Sequence, residues 1–210
     1  DWSLFELMGR EKRFVSYCDI PLQHVSANVL TTMRRPGSPQ DYRHMVARMR
    51  ELVPDLSLRT TFITGHPGET ARDFGQLHEF VEWAQFDQMG AFVYSAEEFT
   101  PASKMAGLPT RKTAERRRDK LMELQQKISL ARNAAEAAAC ANAQGKFWAY
   151  HDALVAQPGR LSSDRVKQIA GDVGLDRRAF DPCLDGGTFK NAIRQAAPEA
   201  ERYAVTASPR

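Results

Sequence analysis

The sequence predicts an α/β protein in which a parallel β-sheet with helices is followed by an all-α segment. Three observations lead to this prediction. Short apolar segments alternate with amphipathic helices as far as residue 96, a pattern typical of parallel strands joined by right-handed crossovers. A stretch without Gly or Pro, residues 113–143, then carries apolar residues at helical spacing. It is predicted to be one long helix, or two fused end to end, that joins the two parts. Beyond it, four short helical patterns occur and no strand pattern does.

The three strands are predicted from apolar runs rich in β-branched and aromatic residues. They lie at 13–22 ("RFVSYCDIPL"), 56–64 ("LSLRTTFIT") and 86–96 ("FDQMGAFVYSA"). Each run is short; Pro21 lies near the end of the first, and Gly65 follows the second. Such runs are typical of buried strands.

Helix starts are predicted from capping residues between the strands. Ser26 precedes one short helix, and Ser38 with Pro39 precedes a second that ends before Pro54. Thr70 and Asp73 have the spacing of a capping box at the start of a third. The four helical patterns of the second part lie at 145–157, 162–174, 176–187 and 188–204.

Composition excludes several classes of protein. Hydrophobic residues make up 42% and charged residues 26% of the 210 residues, as in ordinary globular proteins. A net charge of +3 gives no strong reason to expect nucleic-acid binding. No apolar run approaches the ~20 residues of a membrane span. The first residues lack the features of a signal peptide, and the missing initiator Met indicates part of a longer reading frame.

The carboxyl ends of the predicted strands carry polar residues, glycines and small hydroxyls. The segments are "PLQHVS", "FITGHPGET" and "VYSAEEFTPA". Ligands of open α/β sheets bind outside the carboxyl ends of parallel strands. We therefore expect a ligand site there.

Four segments resemble the RimO branch of the methylthiotransferases in order and spacing. They are "YCDIPLQHVSANVLTTMRRPG", "LRTTFITGHPGET", "AFVYSAEEFTPASKM" and "RRRDKLMELQQKIS", within residues 1–131. Members of this branch are radical S-adenosylmethionine (SAM) enzymes that add a methylthio group to an aspartate of a small-subunit ribosomal protein. The resemblance implies a cytoplasmic protein with a partial (β/α) barrel at residues 1–131, with SAM and a [4Fe–4S] cluster as cofactors and a ribosomal protein as partner.

The resemblance also implies which residues face SAM. These are the strand ends at Gln23, at 63–69 and at 92–94, and the candidate cofactor-binding residues are Gln23, Ile63, Gly65, Gly68, Glu69 and Tyr94. Three positions depart from the family pattern: Thr64, His66 in place of Phe, and Phe99 in place of Gly. We expect Phe99 to alter the pocket most, since a bulky side chain suits a glycine conformation poorly.

The cysteines do not fit the chemistry of that family. A radical SAM cluster is held by CxxxCxxC, and this sequence has only Cys18, Cys140 and Cys183, far apart. We therefore predict no metal ligands and no catalytic residues, and expect methylthio transfer to be absent or impaired in this chain alone.

Residues 133–209 resemble the helical region of DsbA-like thioredoxin-fold oxidoreductases, and we place the second domain at 132–210. The final "YAVTASP" resembles that family's run before a cis-proline, which would be Pro209. A CxxC motif is absent, so dithiol exchange is not expected. The resemblance implies that Cys140 and Cys183 form a structural disulfide; in the cytosol they would instead stay reduced.

Several of these residues also have an ordinary structural interpretation. A turn histidine explains His24 about as well as a pocket residue does, and a hydrogen bond to the next loop explains Gln23 nearly as well. For Glu69 we favour a carboxylate stabilised by a helix start. We predict that His66 is exposed, and that 116–120 ("RRRDK") is a solvated helix face and not a nucleic-acid site.

The preferred interpretation is a fusion of a RimO-like half barrel with a DsbA-like helical segment; a natural fusion and a truncated reading frame both fit. Two alternatives stay open: a thiol–disulfide oxidoreductase relative without CxxC, and a non-catalytic helical interaction module. Open edges of the predicted sheet favour self-association.

Overall fold

The structure, a computed structural model, describes residues 1–157 and 162–202; for 197–202 it describes the backbone alone. The chain divides into two units, Asp1–Ile128 and Ser129–Arg210. We call them the sheet unit and the helical unit. The division lies inside one long helix.

The sheet unit alternates strands and helices as the sequence predicts. In chain order its elements are α1 (Trp2–Arg10), β1 (Tyr17–Asp19), α2 (Ala27–Thr32), α3 (Pro39–Leu52), β2 (Ser57–Thr64), α4 (Ala71–Ala84), β3 (Gln88–Val93), a 3₁₀ turn (Pro101–Lys104) and the first part of α5 (Arg111–Asn142).

The described strands form one parallel sheet in the order β1-β2-β3. Cys18 pairs with Leu58, and Thr61 pairs with Gly90. The predicted α/β class and the three parallel strands are confirmed. β1 is shorter than the predicted strand at both ends. At its carboxyl end Pro21 has no amide hydrogen for the ladder, and pairing resumes at Gln23, which forms an isolated parallel bridge with Phe62.

Helices bury one face of the sheet. Along β2 the side chains alternate, with Leu58, Thr60, Phe62 and Thr64 buried and the residues between them more exposed. The buried face packs with apolar residues of the surrounding helices, among them Val46, Met49, Leu77, Phe80 and Leu121. This period-2 pattern is what a sheet covered on one face requires.

Capping residues fix the starts of α3 and α4. The Ser38 hydroxyl accepts from the Asp41 amide with Pro39 in the first turn, and Thr70 with Asp73 completes a capping box. Ser26 begins α2 as predicted but makes no side-chain cap; its hydroxyl donates to Asp73 instead.

The described part of the helical unit contains only helices. After α5 come α6 (Phe147–Val155), α7 (Ser163–Asp172), α8 (Arg177–Asp185) and α9 (Lys190–Arg202). Tyr150, Ile169 and Phe180 lie in its core, and the Cys140–Cys183 disulfide links α5 to α8. The predicted run of a long helix followed by four short ones is confirmed. No helix in the described part of the chain is long and apolar enough to cross a membrane.

Candidate functional site at the carboxyl edge of the sheet

Backbone hydrogen bonds gather the three strand ends at one edge. The Gln23 amide donates to the Thr61 carbonyl over 2.9 Å, and the Ile63 amide donates to the Gln23 carbonyl over 2.7 Å. Beside them the Tyr94 amide donates to the Thr64 carbonyl over 2.8 Å. Gln23 has a φ of 68°, uncommon for a residue with a side chain. The structure thus places Gln23, Ile63 and Tyr94 at the same edge.

The turn after β2, residues 65–69, requires glycine at two positions. Gly65 has a φ of 79°, and a Cβ there would lie 2.3 Å from the Ala114 Cβ of α5. Gly68 has a φ of 83°, and its amide donates to the Gly107 carbonyl over 2.9 Å. The turn therefore packs backbone against the segment that leads into α5.

The Glu69 carboxylate is buried and closes this turn. Its Oε2 accepts from the Gly65 amide and lies 3.4 Å from Arg117 Nη1. The same guanidinium donates to the Glu69 carbonyl over 3.2 Å. The carboxylate thus folds back onto its own turn, directly before the Thr70 cap of α4. The prediction that residues 116–120 form a solvated helix face is wrong at Arg117, which is 9% exposed.

His24 lies beside that carboxylate and is fully buried. Its Nδ1 accepts from the Ser26 amide over 3.0 Å. Its Nε2 lies 3.8 Å from Glu69 Oε1, and neither atom has a hydrogen-bond partner among the described residues. His24 is therefore part of a buried polar cluster behind the turn.

His66 is buried, with 4% of its surface exposed, so the predicted exposed turn residue is wrong. Its Nδ1 lies 3.0 Å from the Pro67 carbonyl and 3.2 Å from Thr32 Oγ1, and its ring meets Tyr94 edge-on at 5.2 Å. Burial lowers the pKa of His66, and neighbouring His24 lowers that pKa further. Packing of the 65–69 turn between α2 and β3 explains the burial, which local sequence did not reveal.

A cleft of about 230 Å³ opens beside the turn. It is lined by Gly65, by Tyr94 and Ser95 after β3, and by Leu108 and Ala114 near the start of α5. The Tyr94 hydroxyl is buried and has no hydrogen-bond partner in the described ranges. Of the six predicted residues, Gly65 and Tyr94 line the cleft, Glu69 lies buried behind the turn, and Gln23, Ile63 and Gly68 lie at the same edge outside its lining.

Asp73 ties the starts of α2 and α4 together next to this edge. Its carboxylate accepts hydrogen bonds from Ser26, Asn28 and Thr70, while Asn28 also donates to the Gly68 carbonyl over 3.2 Å. Burial alone would raise the pKa of Asp73, but these hydrogen bonds outweigh it and lower the pKa to about 2. The carboxylate is thus ionised at neutral pH.

The described residues do not fit an iron–sulfur cluster. No group of three or more His, Cys, Asp or Glu side chains in the described ranges is arranged to hold a metal ion. Cys140 and Cys183 are bonded to each other, as the second resemblance implied, and burial raises the pKa of the free thiol of Cys18. Thiolate ligands for a cluster are therefore lacking in this part of the chain.

One further predicted position is Pro209. Pro209, which the sequence matched to a cis-proline, lies outside the described residues together with the rest of "YAVTASP".

A family model of the DSBA-like thioredoxin domain matches residues 78–209, more than half of the chain. The chain belongs to the family of DSBA-like thioredoxin domains. The matched range includes the whole segment that resembles the DsbA-like helical region. It also contains β3, the start of α5 and Tyr94.

Curated relatives connect the chain with a second kind of protein. The ribosomal protein uS12 methylthiotransferase RimO of Trichlorobacter lovleyi is 46% identical over 132 residues, which is 63% of this chain and 29% of that protein. Proteins of the same description from Symbiobacterium thermophilum and Geobacter sulfurreducens are 46% and 43% identical over 130 residues, or 27% and 29% of their lengths. The partial similarity to RimO methylthiotransferases is confirmed. The chain spans less than a third of the length of these relatives.

Proposed function

We propose that the sheet unit is a SAM-binding part of a RimO-type methylthiotransferase and that it binds SAM at the carboxyl edge of its sheet. The observation that carries this proposal is the cleft beside the 65–69 turn, which Gly65 and Tyr94 line. The Tyr94 hydroxyl is closed off from solvent and has no partner among the described residues, so a ligand group that reached it by a small movement of the side chain would offset the cost of burying it unpaired. Similarity to RimO proteins supports SAM as the ligand.

The six residues would have different parts in binding. Tyr94 and Gly65 would contact SAM, because they line the cleft. Glu69 would hold the turn, because its carboxylate accepts a hydrogen bond from the Gly65 amide. Gln23 and Ile63 would shape the neighbouring strand ends, and Gly68 would keep the segment before α5 close to the turn.

Methylthio transfer by this chain alone is not part of the proposal. A bound cluster would supply the one-electron chemistry of that reaction, and the described residues do not fit one. By extension from the curated relatives, we propose ribosomal protein uS12 as the partner of a complete assembly. We keep the predicted cytoplasmic location as part of the same proposal.

Isothermal titration of the full chain with SAM tests the proposal. We expect saturable binding, and the change Tyr94→Phe should weaken it by about two- to tenfold because one hydrogen bond is lost. Tyr42→Phe is the matched control, since the Tyr42 hydroxyl donates to Pro36 away from the cleft. Absence of binding by the wild-type chain would refute the proposal, and so would equal affinities of the wild-type chain and the Tyr94→Phe variant.

For the helical unit we propose a non-catalytic role. Dithiol exchange needs an accessible thiolate with a resolving partner. Here Cys140 is 1% exposed and its partner is 43 residues away. An insulin-reduction assay with glutathione should therefore give no rate above background. Turnover that disappears in a Cys140→Ser variant would instead favour the thiol–disulfide oxidoreductase alternative.

A further inference from the structure

Two buried charged or polar side chains, His24 and Arg117, surround Glu69 and were not among the predicted site residues. We propose that they are positioning residues for SAM binding: together they hold the Glu69 carboxylate, which in turn fixes the Gly65–Glu69 turn beside the cleft. This inference rests on the proposed function of the sheet unit.

Burial makes the position of the Glu69 carboxylate sensitive to its partners. The side chains of His24 and Glu69 have no exposed surface, and that of Arg117 is 10% exposed. A carboxylate removed from water is costly unless it is paired and hydrogen-bonded. The groups around it therefore determine where it lies.

Arg117 holds one side of the carboxylate and the backbone next to it. Its Nη1 lies 3.4 Å from Oε2 and 3.2 Å from the Glu69 carbonyl. The guanidinium carbon is also 5.7 Å from the centre of the Phe74 ring, which keeps the planar group in place by a cation–π contact. Oε2 is thereby directed at the Gly65 amide, the first residue of the turn.

His24 faces the other carboxylate oxygen. Because its Nδ1 accepts from the Ser26 amide, the neutral ring carries its hydrogen on Nε2. That N–H and Glu69 Oε1, a complementary donor and acceptor, are 3.8 Å apart and have no other partner among the described residues. His24 thus places a hydrogen-bond donor next to Oε1, just before the start of α2.

The arrangement couples three segments of the chain, namely the one before α2, the 65–69 turn and α5, to one backbone amide. The Gly65 amide is the group that the carboxylate holds, and Gly65 itself lines the cleft. Loss of either support should let the carboxylate move, after which the Gly65 amide loses its acceptor. We therefore expect these substitutions to change ligand affinity as well as stability.

The test uses the full chain with two readouts besides thermal stability: the Gly65 amide signal in a ¹⁵N–¹H spectrum, and SAM affinity by titration. The variants are Arg117→Met, Arg117→Lys as conservative rescue, His24→Gln and Glu69→Gln. Arg118→Met is the control, because Arg118 is a partly exposed neighbour that pairs with Asp119.

In the wild-type chain the Gly65 amide should resonate downfield, as expected for a donor to a carboxylate. In Arg117→Met it should move upfield while SAM affinity falls at least about tenfold, since a hydrogen bond to a charged group is lost. Arg117→Lys should recover part of the Gly65 shift and part of the SAM affinity, and Arg118→Met should match the wild type in these two readouts. His24→Gln should show a smaller change in the same direction.

The proposal is overturned if Arg117→Met and His24→Gln lower the melting temperature but leave the Gly65 signal and the SAM affinity at wild-type values. If Arg117→Met does not fold, Arg117→Lys and Glu69→Gln decide by the same criteria. If the wild-type chain binds no SAM, the proposed function fails separately. The Gly65 signal then still tests whether His24 and Arg117 hold the turn, and an unchanged signal in the variants refutes it.

Discussion

Phe99 has a backbone conformation that suits glycine. Its φ is 67° and its side chain is 96% exposed, so it is strained and gains little from packing. We predict that Phe99→Gly raises the free energy of unfolding by about 0.5–1 kcal/mol, because glycine adopts this conformation freely. The gain is smaller than the relieved strain, since glycine also makes the unfolded chain more flexible. Urea denaturation measures the difference.

The control for this substitution is Phe99→Ala, which removes the aromatic ring but keeps a Cβ. Alanine should leave the stability close to that of the wild type, since the strain remains. An equal gain from alanine and glycine would show that the exposed ring, and not the backbone, is responsible.

Asp73 should make stability depend on pH in the acid range. Its pKa is about 2 in the folded chain, below the ordinary 3.8. The stabilisation is therefore complete above pH 3.8 and is lost as the pH falls from there toward 2. We predict that Asp73→Asn lowers the free energy of unfolding by about 2 kcal/mol at pH 7 and makes that free energy depend less on pH below about 4.

A matched control for Asp73→Asn is Asp41→Asn. Asp41 occupies the corresponding position after the cap of α3 but is exposed. Its substitution should cost only a few tenths of a kcal/mol. Equal losses in the two variants would mean that the buried hydrogen bonds of Asp73 contribute little.

At the scale of elements, the disulfide between α5 and α8 should stabilise the helical unit. It closes a loop of 43 residues, for which chain entropy gives about 4 kcal/mol. We predict that the double change of Cys140 and Cys183 to Ala lowers the stability of the oxidised chain by 2–4 kcal/mol, measured by thermal and urea unfolding. Cys18→Ala, at the free cysteine, is the control; a similar loss in both would contradict a role of the disulfide.

Local patterns sufficed to predict most helices and strands. Capping residues act on neighbouring backbone groups, so a few adjacent residues are enough to predict where a helix begins. Examples are Ser38 with Pro39, and Thr70 with Asp73. The stretch without Gly or Pro likewise predicted α5. The first helix, α1, was not predicted, although Asp1 caps it and its Phe5 reaches the core.

The buried cluster behind the turn was harder to predict because it joins residues far apart in sequence. His24 lies before α2, Glu69 in the turn before α4 and Arg117 in α5, and only packing brings these three segments together. A clue existed for Arg117: it lies between Ala114 and Leu121 on the apolar face of α5, at helical spacing. Because Arg117 belongs to the basic run 116–120, we predicted it to lie on a solvated face instead.

At the scale of the whole molecule, the open sheet edge predicts self-association. β3 is an edge strand among the described strands, and its Phe92 is 61% exposed. Unpaired edges with apolar side chains favour pairing with another chain. Sedimentation velocity should show association that grows with concentration and weakens in Phe92→Lys but not in Val155→Lys, an exposed position on α6. A monomer at all concentrations would refute this prediction.

The central claim is that the carboxyl edge of the sheet unit binds SAM, and mapping ¹⁵N–¹H shifts of the full chain during a SAM titration tests it most directly. We predict saturable changes at 65–69, 93–95 and 108–111, around the cleft, with the amides of α6 to α8 unchanged. Shifts confined to the helical unit, or none at saturating SAM, would contradict the claim.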